Sequence, residues 1–501
     1  MPNIPLGSVW RKLWAGLGYC QTFGKWRALF SVAACLSFGG WSTSGLTADL
    51  QAAEAELIRA SGFAPDEFGY LVLDPATGET LRSHQPNTVF IPASMIKIGT
   101  ALAALEVLGP EHRFRTSAMA KPVAGGLHLH LSGGGDPVLV QENLDALADA
   151  LVVPVAGRPV VRFTFDDTRL PFVTQIDPSD DGIKPYNPPI SALSVNFNRQ
   201  WLRWSRDETS RAMVVRLLPG LGDALAGLAP KRTDDGRSIR SLGQSPMVYL
   251  LDPLVPSAGQ RRIAVRQPAL RTAAMLRAYA ARAGLALPEP TVQAVEPAGA
   301  EPVAAHESRA MLEIAVDLLE YSNNLSAELI GLATAQKLKP GVSSLASGAA
   351  VVRGWLGKTI PDVTRLGWQS ANQSGLAGQT RVTPAALLAL LRFADARRYG
   401  AGQAPFTVLL RETEFASQGA GGRLYAKSGT MFYARGQAGQ LLTASGRPLL
   451  FVLMHTDFAS RAGYEGNAAR YKAPVQIRAN RWLRRARVAE QAILEYWAKT
   501  L

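Results

Sequence analysis

The sequence predicts an α/β fold: an antiparallel sheet flanked by helices and divided along the chain by a long β-rich insertion. Three observations carry this. "FGYLVLDPATGETL" (68–81) alternates apolar residues around a Pro/Gly turn and predicts two strands. "RLYAKSGTMFYARGQAGQLLTASGRPLLFVLMH" (423–455) predicts the closing strands, with an Ala-Ser-Gly turn. Between about 118 and 298 the texture changes to short strands and turns, far too long a stretch for a loop. The first strands are expected to pair with the last, with helices on both faces.

Taken in order, residues 1–48 predict a signal peptide or N-terminal anchor. Lys25 and Arg27 form a basic part, Ala28–Phe38 an apolar run, and Ser42, Ser44, Gly45 and Ala48 a small-residue region for cleavage. Cys35, in Val-Ala-Ala-Cys, offers lipidation as an alternative, and a retained membrane anchor is another. Export to the periplasm or the wall side of the cytoplasmic membrane is expected. Residues 49–117 form a first catalytic part. It contains an amphipathic helix at 49–61, the two strands, and a helix over "PASMIKIGTALAALEVLG" (92–109).

Residues 118–298 form the insertion. "LHLHLSGGGDPVL", "VVRFTFDD", "SVNFNRQWLRWS" and "RAMVVRLLPG" predict strands, with one helix at "ALRTAAMLRAYAARAG". A Pro/Ala/Glu-rich linker near 300 closes it. Residues 299–501 form the second catalytic part: helices over "SRAMLEIAVDLLEYSNNLSAELIGLATAQKL" and "PAALLALLRFADA", the closing strands, and a basic helix from about Ile477 to Trp497. There is no internal repeat.

Composition excludes several function classes. Net charge is +13, of which the first 48 residues carry four. The remaining +9 suits anionic surroundings such as a wall or membrane surface. No Lys/Arg cluster interleaved with aromatics argues for nucleic acid. Cys20 and Cys35 are the only cysteines and both precede the body, which excludes a Cys nucleophile or disulfide scaffold there. His128 and His130 alternate on one strand with no third ligand at metal spacing, so neither metal nor cofactor is expected. "SGGGDP" (132–137) lacks the Gly-Lys-Ser/Thr ending of a phosphate loop and reads as a turn.

The chemistry lies in three short motifs. Lys97 sits in the first turn of a helix apolar nearly all round, three residues after Ser94. A buried ammonium is costly unless it is paired or loses its proton. Ser322-Asn323-Asn324 lies between two helices, and Lys427-Ser428-Gly429-Thr430 enters a strand. Each has a bland reading: an N-cap with a snorkelling lysine, a polar turn, a strand start. Their order along the chain, each in fitting local structure, argues for chemistry. Desolvation and the cation of Lys427 would lower the pKa of Lys97, so that a neutral amine takes the Ser94 proton. The backbone N–H groups of Ser94 and Thr430 are the expected oxyanion donors. Gly429 is expected to leave room for substrate backbone along the strand.

With these motifs, "LSGGGDP", "YNPPISALSVNFN", "YSNNLSAEL" and "NQSGL", the chain from about 50 to about 460 resembles a known family. It is similar to the class C low-molecular-mass penicillin-binding proteins, the D-alanyl-D-alanine carboxypeptidase/endopeptidases of peptidase family S13. The resemblance implies a penicillin-binding, β-lactamase-like transpeptidase fold with inserted domains. It implies peptidoglycan stem peptides as substrate and β-lactams as covalent inhibitors. It makes Ser94 the acylated nucleophile, Lys97 its base, and Ser322 the relay to the leaving amine. Asn324 would hold the substrate amide, Lys427 tune the field, and Ser428 with Thr430 bind the terminal carboxylate. Asp167, in "FDDTRL", would lie near the amino end of the stem peptide. Ser428 replaces a commoner threonine, Ile-Pro-Ala-Ser replaces Asn-Pro-Ala-Ser, and "NQSGLAG" changes the surroundings of Ser374. Two alternatives stay open: a β-lactamase or esterase on the same site, and a non-catalytic wall-binding protein.

Overall fold

A computed structural model describes residues 43–501, apart from 181–183, 207, 210–212, 219–227, 231–238, 243–247, 252–256, 414, 416–420, 466 and 468. Of the expected signal or anchor (1–48), residues 1–42, with Cys20 and Cys35, lie outside the described residues, and 43–48 begin the first helix. The chain divides into a unit Met1–Leu50 and a unit Gln51–Leu501. No described helix is long and apolar enough to cross a membrane.

Helix α1 (Thr43–Ala60) leads to strands β1 (Phe68–Leu73) and β2 (Thr80–His84), then to α2 (Lys97–Val107). The insertion follows with β3 (Arg115–Val123), β4 (Gly126–Ser132), α3 (Gln141–Val155), β5 (Val160–Asp166), β6 (Arg199–Arg206) and β7 (Met213–Leu218). It continues through β8 (Leu228–Pro230), β9 (Ile239–Leu242), β10 (Val248–Leu251), β11 (Ala258–Ala264), α4 (Pro268–Arg282), β12 (Thr291–Val292) and β13 (Glu301–Glu307). Helices α5 (Met311–Tyr321), α6 (Asn324–Leu338), α7 (Leu345–Thr359) and α8 (Pro361–Arg365) come next. Short strands β14 (Trp368–Gln369) and β15 (Arg381–Val382) precede α9 (Pro384–Asp395), and β16 (Arg398–Tyr399) and β17 (Ala404–Pro405) follow it. The chain closes with β18 (Arg411–Thr413), β19 (Arg423–Met431), β20 (Ala434–Leu442), β21 (Pro448–Thr456), α10 (Phe458–Glu465) and α11 (Ala473–Thr500).

The main sheet has the order β18-β19-β20-β21-β1-β2 and is antiparallel throughout. The first strands thus pair with the last, Tyr70 opposite Leu453. Period-2 alternation sends the two sides of β1 to different helical layers. Phe68, Tyr70 and Val72 pack with Phe451, Trp482 and Trp497, under α11. Leu71 and Leu73 face the other layer, which holds α2, α5, α6, α7 and α9. Glu54 of α1 is fully buried on the α11 side of the sheet: it accepts from Tyr70 Oη and Trp497 Nε1, both at 2.6 Å, and pairs with Arg82.

The insertion carries a five-stranded sheet, β12-β5-β4-β3-β13, with its own apolar cluster. Leu127, Leu129 and Leu131 of β4 pack there with Leu144, Leu147 and Leu151 of α3 and Leu276 of α4. Two points correct the sequence reading. The stretch expected to be β-rich contains helix α3, where Leu144, Leu147, Leu151 and Val155 recur at helical spacing and are buried. The supposed linker near 300 contains β12 and β13, and β13 pairs with β3 from Glu301↔Ala120 to Glu307↔Arg115. The chain therefore enters and leaves the insertion side by side, with Ser308 N donating to Phe114 O at 2.8 Å.

Candidate active site

Residues Ala93–Ile96 form a 3-10 turn that runs straight into α2. Ser94 stands in this turn and Lys97 is the first residue of the α-helix; the sequence suggested one continuous α-helix instead. The cause is crowding. Ala93 takes a left-handed φ of +46°, and three glycines close in around the turn. A Cβ on Gly375 would run into the carbonyl of Ala93, and one on Gly429 into the carbonyl of Pro92. A Cβ on Gly436 would lie 2.8 Å from Met95 Cε. Gly429 is thus required first by the nucleophile turn behind it, a reason the sequence did not disclose.

Lys97 is fully buried and gathers the distant motifs. Its Nζ lies 2.8 Å from Ser94 Oγ, 2.8 Å from Asn324 Oδ1 and 2.6 Å from Ser374 O. Burial pushes its pKa well below the ordinary lysine value; the positive charge of Lys427 adds to this and Glu328 opposes it. An ammonium could donate to all three oxygens. A neutral amine has only two N–H donors and one lone pair. It can keep Asn324 Oδ1 and Ser374 O and accept the hydroxyl proton of Ser94.

The second motif is the α5–α6 turn. Ser322 ends α5 in the left-handed conformation, φ +59°. Asn323 caps α6 through its side chain, accepting from Ser326 N. Asn324, the first residue of α6, also donates from Nδ2 to the carbonyl of Tyr186 in the insertion at 2.9 Å.

The third motif lies on β19. Lys427 is buried, and its pKa is pulled down to about 8, mainly by burial and further by Arg411, against Glu320. Gly429 faces the nucleophile turn; Ser428 and Thr430 alternate onto the other face and are exposed. Thr430 Oγ1 accepts from Arg435 Nη1 at 2.7 Å, and Arg435 is held by Glu490 of α11. β18 pairs with β19 only from Leu424 to Ala426. Met431 and Ala434 close a two-residue turn, so ladder alternation aims the backbone groups of Ser428 and Thr430 at the outer edge. Among the described residues no strand covers that edge beyond Ala426.

Asp167, in the insertion, accepts from Ser191 Oγ at 2.8 Å. Sequence reasoning missed Glu328. It is fully buried on α6, one turn after Asn324, and accepts from Gln373 N and Ser374 N at 3.1 and 2.8 Å. It fixes the segment whose carbonyl holds Lys97. A lone acid inside "NNLSAELIGLA", at i+4 from a motif residue, was the available signal. Arg435 had no comparable signal. His128 and His130 share the hydroxyl of Thr164, at 2.7 and 2.8 Å.

An antiparallel sheet between helical layers, with a serine turn leading into a buried lysine helix, is the fold of the penicillin-binding and β-lactamase-like proteins. The solved structure of penicillin binding protein 4 from Haemophilus influenzae matches it with a TM-score of 0.63, at 18% identity, covering 82% of this chain and 93% of that one. The same protein complexed with a novel β-lactam matches with a TM-score of 0.58 at 17% identity, covering 78% and 90%. The chain belongs to the D-Ala-D-Ala carboxypeptidase 3 (S13) family, whose model matches residues 50–473. A D-alanyl-D-alanine carboxypeptidase from Actinomadura sp. (strain R39) is 32% identical over 292 residues, covering 52% of this chain. The match spans about half the length of that relative, 53%.

Proposed function

We propose that the protein is a penicillin-sensitive serine D-Ala-D-Ala carboxypeptidase/endopeptidase that acts on peptidoglycan stem peptides through an acyl-enzyme at Ser94. The observation that carries this reading is the buried Lys97 amine, 2.8 Å from Ser94 Oγ and driven toward its neutral form. As Ser94 Oγ attacks the carbonyl carbon of the penultimate D-alanine, its proton passes to Lys97 Nζ. The carbonyl oxygen becomes an oxyanion, held by the N–H groups of Ser94 and Thr430. The C–N bond then breaks, and the proton travels through Ser322 Oγ to the leaving D-alanine amine. Water attacks the ester, giving its proton to Lys97, which returns it to Ser94 Oγ as the acid product leaves.

The uncovered edge of β19 suits an extended peptide added as a further strand. Asn324 would hold the substrate amide. Lys427, Ser428 and Thr430, with Arg435 beside Thr430, supply charge and hydroxyls for the terminal carboxylate. Asp167 is assigned to the amino end of the stem peptide only by family resemblance. The basic N-terminal segment supports export to the wall side of the membrane.

A β-lactamase reading needs fast deacylation. Glu328 is the acid that bears on Lys97, but backbone N–H groups take both of its oxygens, so it is not aimed at a water. Incubation with fluorescent penicillin, followed over hours, separates the readings. A long-lived label that Ser94→Ala abolishes is expected. Rapid loss of label would favour the β-lactamase, and no label the non-catalytic protein.

A further inference from the structure

Away from the candidate active site lies a cleft of about 820 Å³. Its walls come from β3 and the Ser132–Gly134 turn of the insertion, and from the C-terminal ends of α2 and α6. Both helices begin at the candidate site, with Lys97 and Asn324, and end here, near Leu108 and Lys337. At 1.5 Å per residue the two sites lie roughly 15–20 Å apart along those helices.

Four cations line the cleft, Arg113, Arg115, Arg169 and Lys337, against one acid, Glu296. Part of this is structural. Arg113 donates to Ser308 O at 2.8 Å, and Lys337 sits in the last turn of α6, where a cation complements the helix dipole. Those roles leave Arg115 and Arg169 unexplained. Among the described residues none of the four forms a salt bridge. His112, also in the wall, has its pKa lowered by burial and then by Arg169 and Lys337, so those charges bear on the same space. Like charges gathered in a concave site repel one another and focus a positive field that draws in anions. The rest of the wall is mixed: Leu108, Met119 and Ala333 add apolar surface, and Ser117, Ser132 and Gln336 add polar groups.

We propose that this cleft is a second binding site, for a carboxylate-bearing stem peptide of the wall other than the peptide being cleaved. Cations set beside both apolar side chains and amide and hydroxyl groups match a peptide of small apolar residues that carries several carboxylates. A phosphodiester polymer would satisfy the charges and leave Leu108, Met119 and Ala333 uncovered. The proposal rests on the peptidoglycan reading above. On that reading the site holds the enzyme on the meshwork while the β19 edge takes the scissile peptide.

The test uses the full-length protein and purified peptidoglycan stripped of attached polymers. In Arg169→Gln/Lys337→Gln, co-sedimentation with this peptidoglycan at low salt should weaken at least tenfold. Turnover of the insoluble wall should fall with it, while the penicillin acylation rate stays within twofold of wild type. Arg169→Lys/Lys337→Arg should restore binding. Unchanged co-sedimentation overturns the proposal, as does an equal loss of penicillin acylation in the Gln variant. Competition by a glycerol-phosphate oligomer but not by a soluble stem tetrapeptide also overturns it. If wild type is not acylated by penicillin, the functional reading fails on that result alone, and co-sedimentation still decides the cleft.

Discussion

Replacing Gly429 by alanine should disable acylation without removing any catalytic atom. The added Cβ would fall well under 3 Å from the carbonyl oxygen of Pro92 and 3.3 Å from Met95 Cγ. Atoms of this kind need about 3.4 Å, so β19 and the nucleophile turn must separate by roughly 1 Å. Neither side yields easily: the turn is held from behind by Gly375 and Gly436, and β19 is paired to β20 along its whole length. The overpacking should cost about 1–3 kcal/mol of stability. A displacement near 1 Å between Ser94 and the Thr430 N–H should cost on the order of a hundredfold in reaction rate. The assay is the second-order rate of penicillin acylation by stopped flow, with thermal unfolding measured on the same sample. Gly354→Ala is the control: it lies in α7 with nothing within 4 Å of the new Cβ. That change should leave acylation alone and stabilise by up to about 1 kcal/mol. A folded Gly429→Ala enzyme that acylates within threefold of wild type would refute the argument.

Other outcomes follow from the same geometry. Lys97→Arg keeps the charge but removes the base, since guanidinium stays protonated; acylation should fall by several orders of magnitude in a protein that still melts cooperatively. In wild type, acylation should decline toward acid as the depressed Lys97 amine regains its proton, and KM for carboxylate-ended peptides should climb above about pH 8 as Lys427 loses its charge. A pH-independent rate would mean another group is the base. Glu328→Gln removes the charge that raises the Lys97 pKa, so the acid limb should move to lower pH; a shift upward would reverse the assigned sign. Joining Phe114 to Ser308 through a short linker, in place of the insertion, should spare reaction with penicillin more than hydrolysis of stem peptides. Equal losses on both substrates would assign the insertion a purely supporting role.

The three motifs were legible because each is local: a few residues whose spacing is fixed by one turn or one strand. The pairing of β1 with β21 was legible too, since both read as buried strands at opposite ends of the catalytic parts. What escaped depended on contacts between distant segments. Glu328 looks like an ordinary helix residue until Gln373 and Ser374 bring their N–H groups to it. The need for Gly429 appears only once Pro92 lies behind the strand. β13 was hidden by Pro297, Pro302 and several glutamates, a linker-like composition that an edge strand tolerates. Helix α3 was legible at its own period and was masked by the strands on either side.

The adjacent crossing at Phe114 and Ser308 bears on the order of assembly. Bringing α2 against α5 and α6 directly would close a loop of about 200 residues, at an entropic cost of roughly 4–5 kcal/mol. Once β3 and β13 have zipped together, the same helices are joined by only a few residues on either side, and most of that cost has been met by the insertion's own sheet. Amide protection in β3 and β13 should therefore appear before protection in α2 during refolding, as read by pulsed hydrogen exchange; the reverse order would rule this sequence out. The insertion would then act as a clasp that shortens the chain, so that the serine and the Ser322-Asn323-Asn324 motif meet as near neighbours along it.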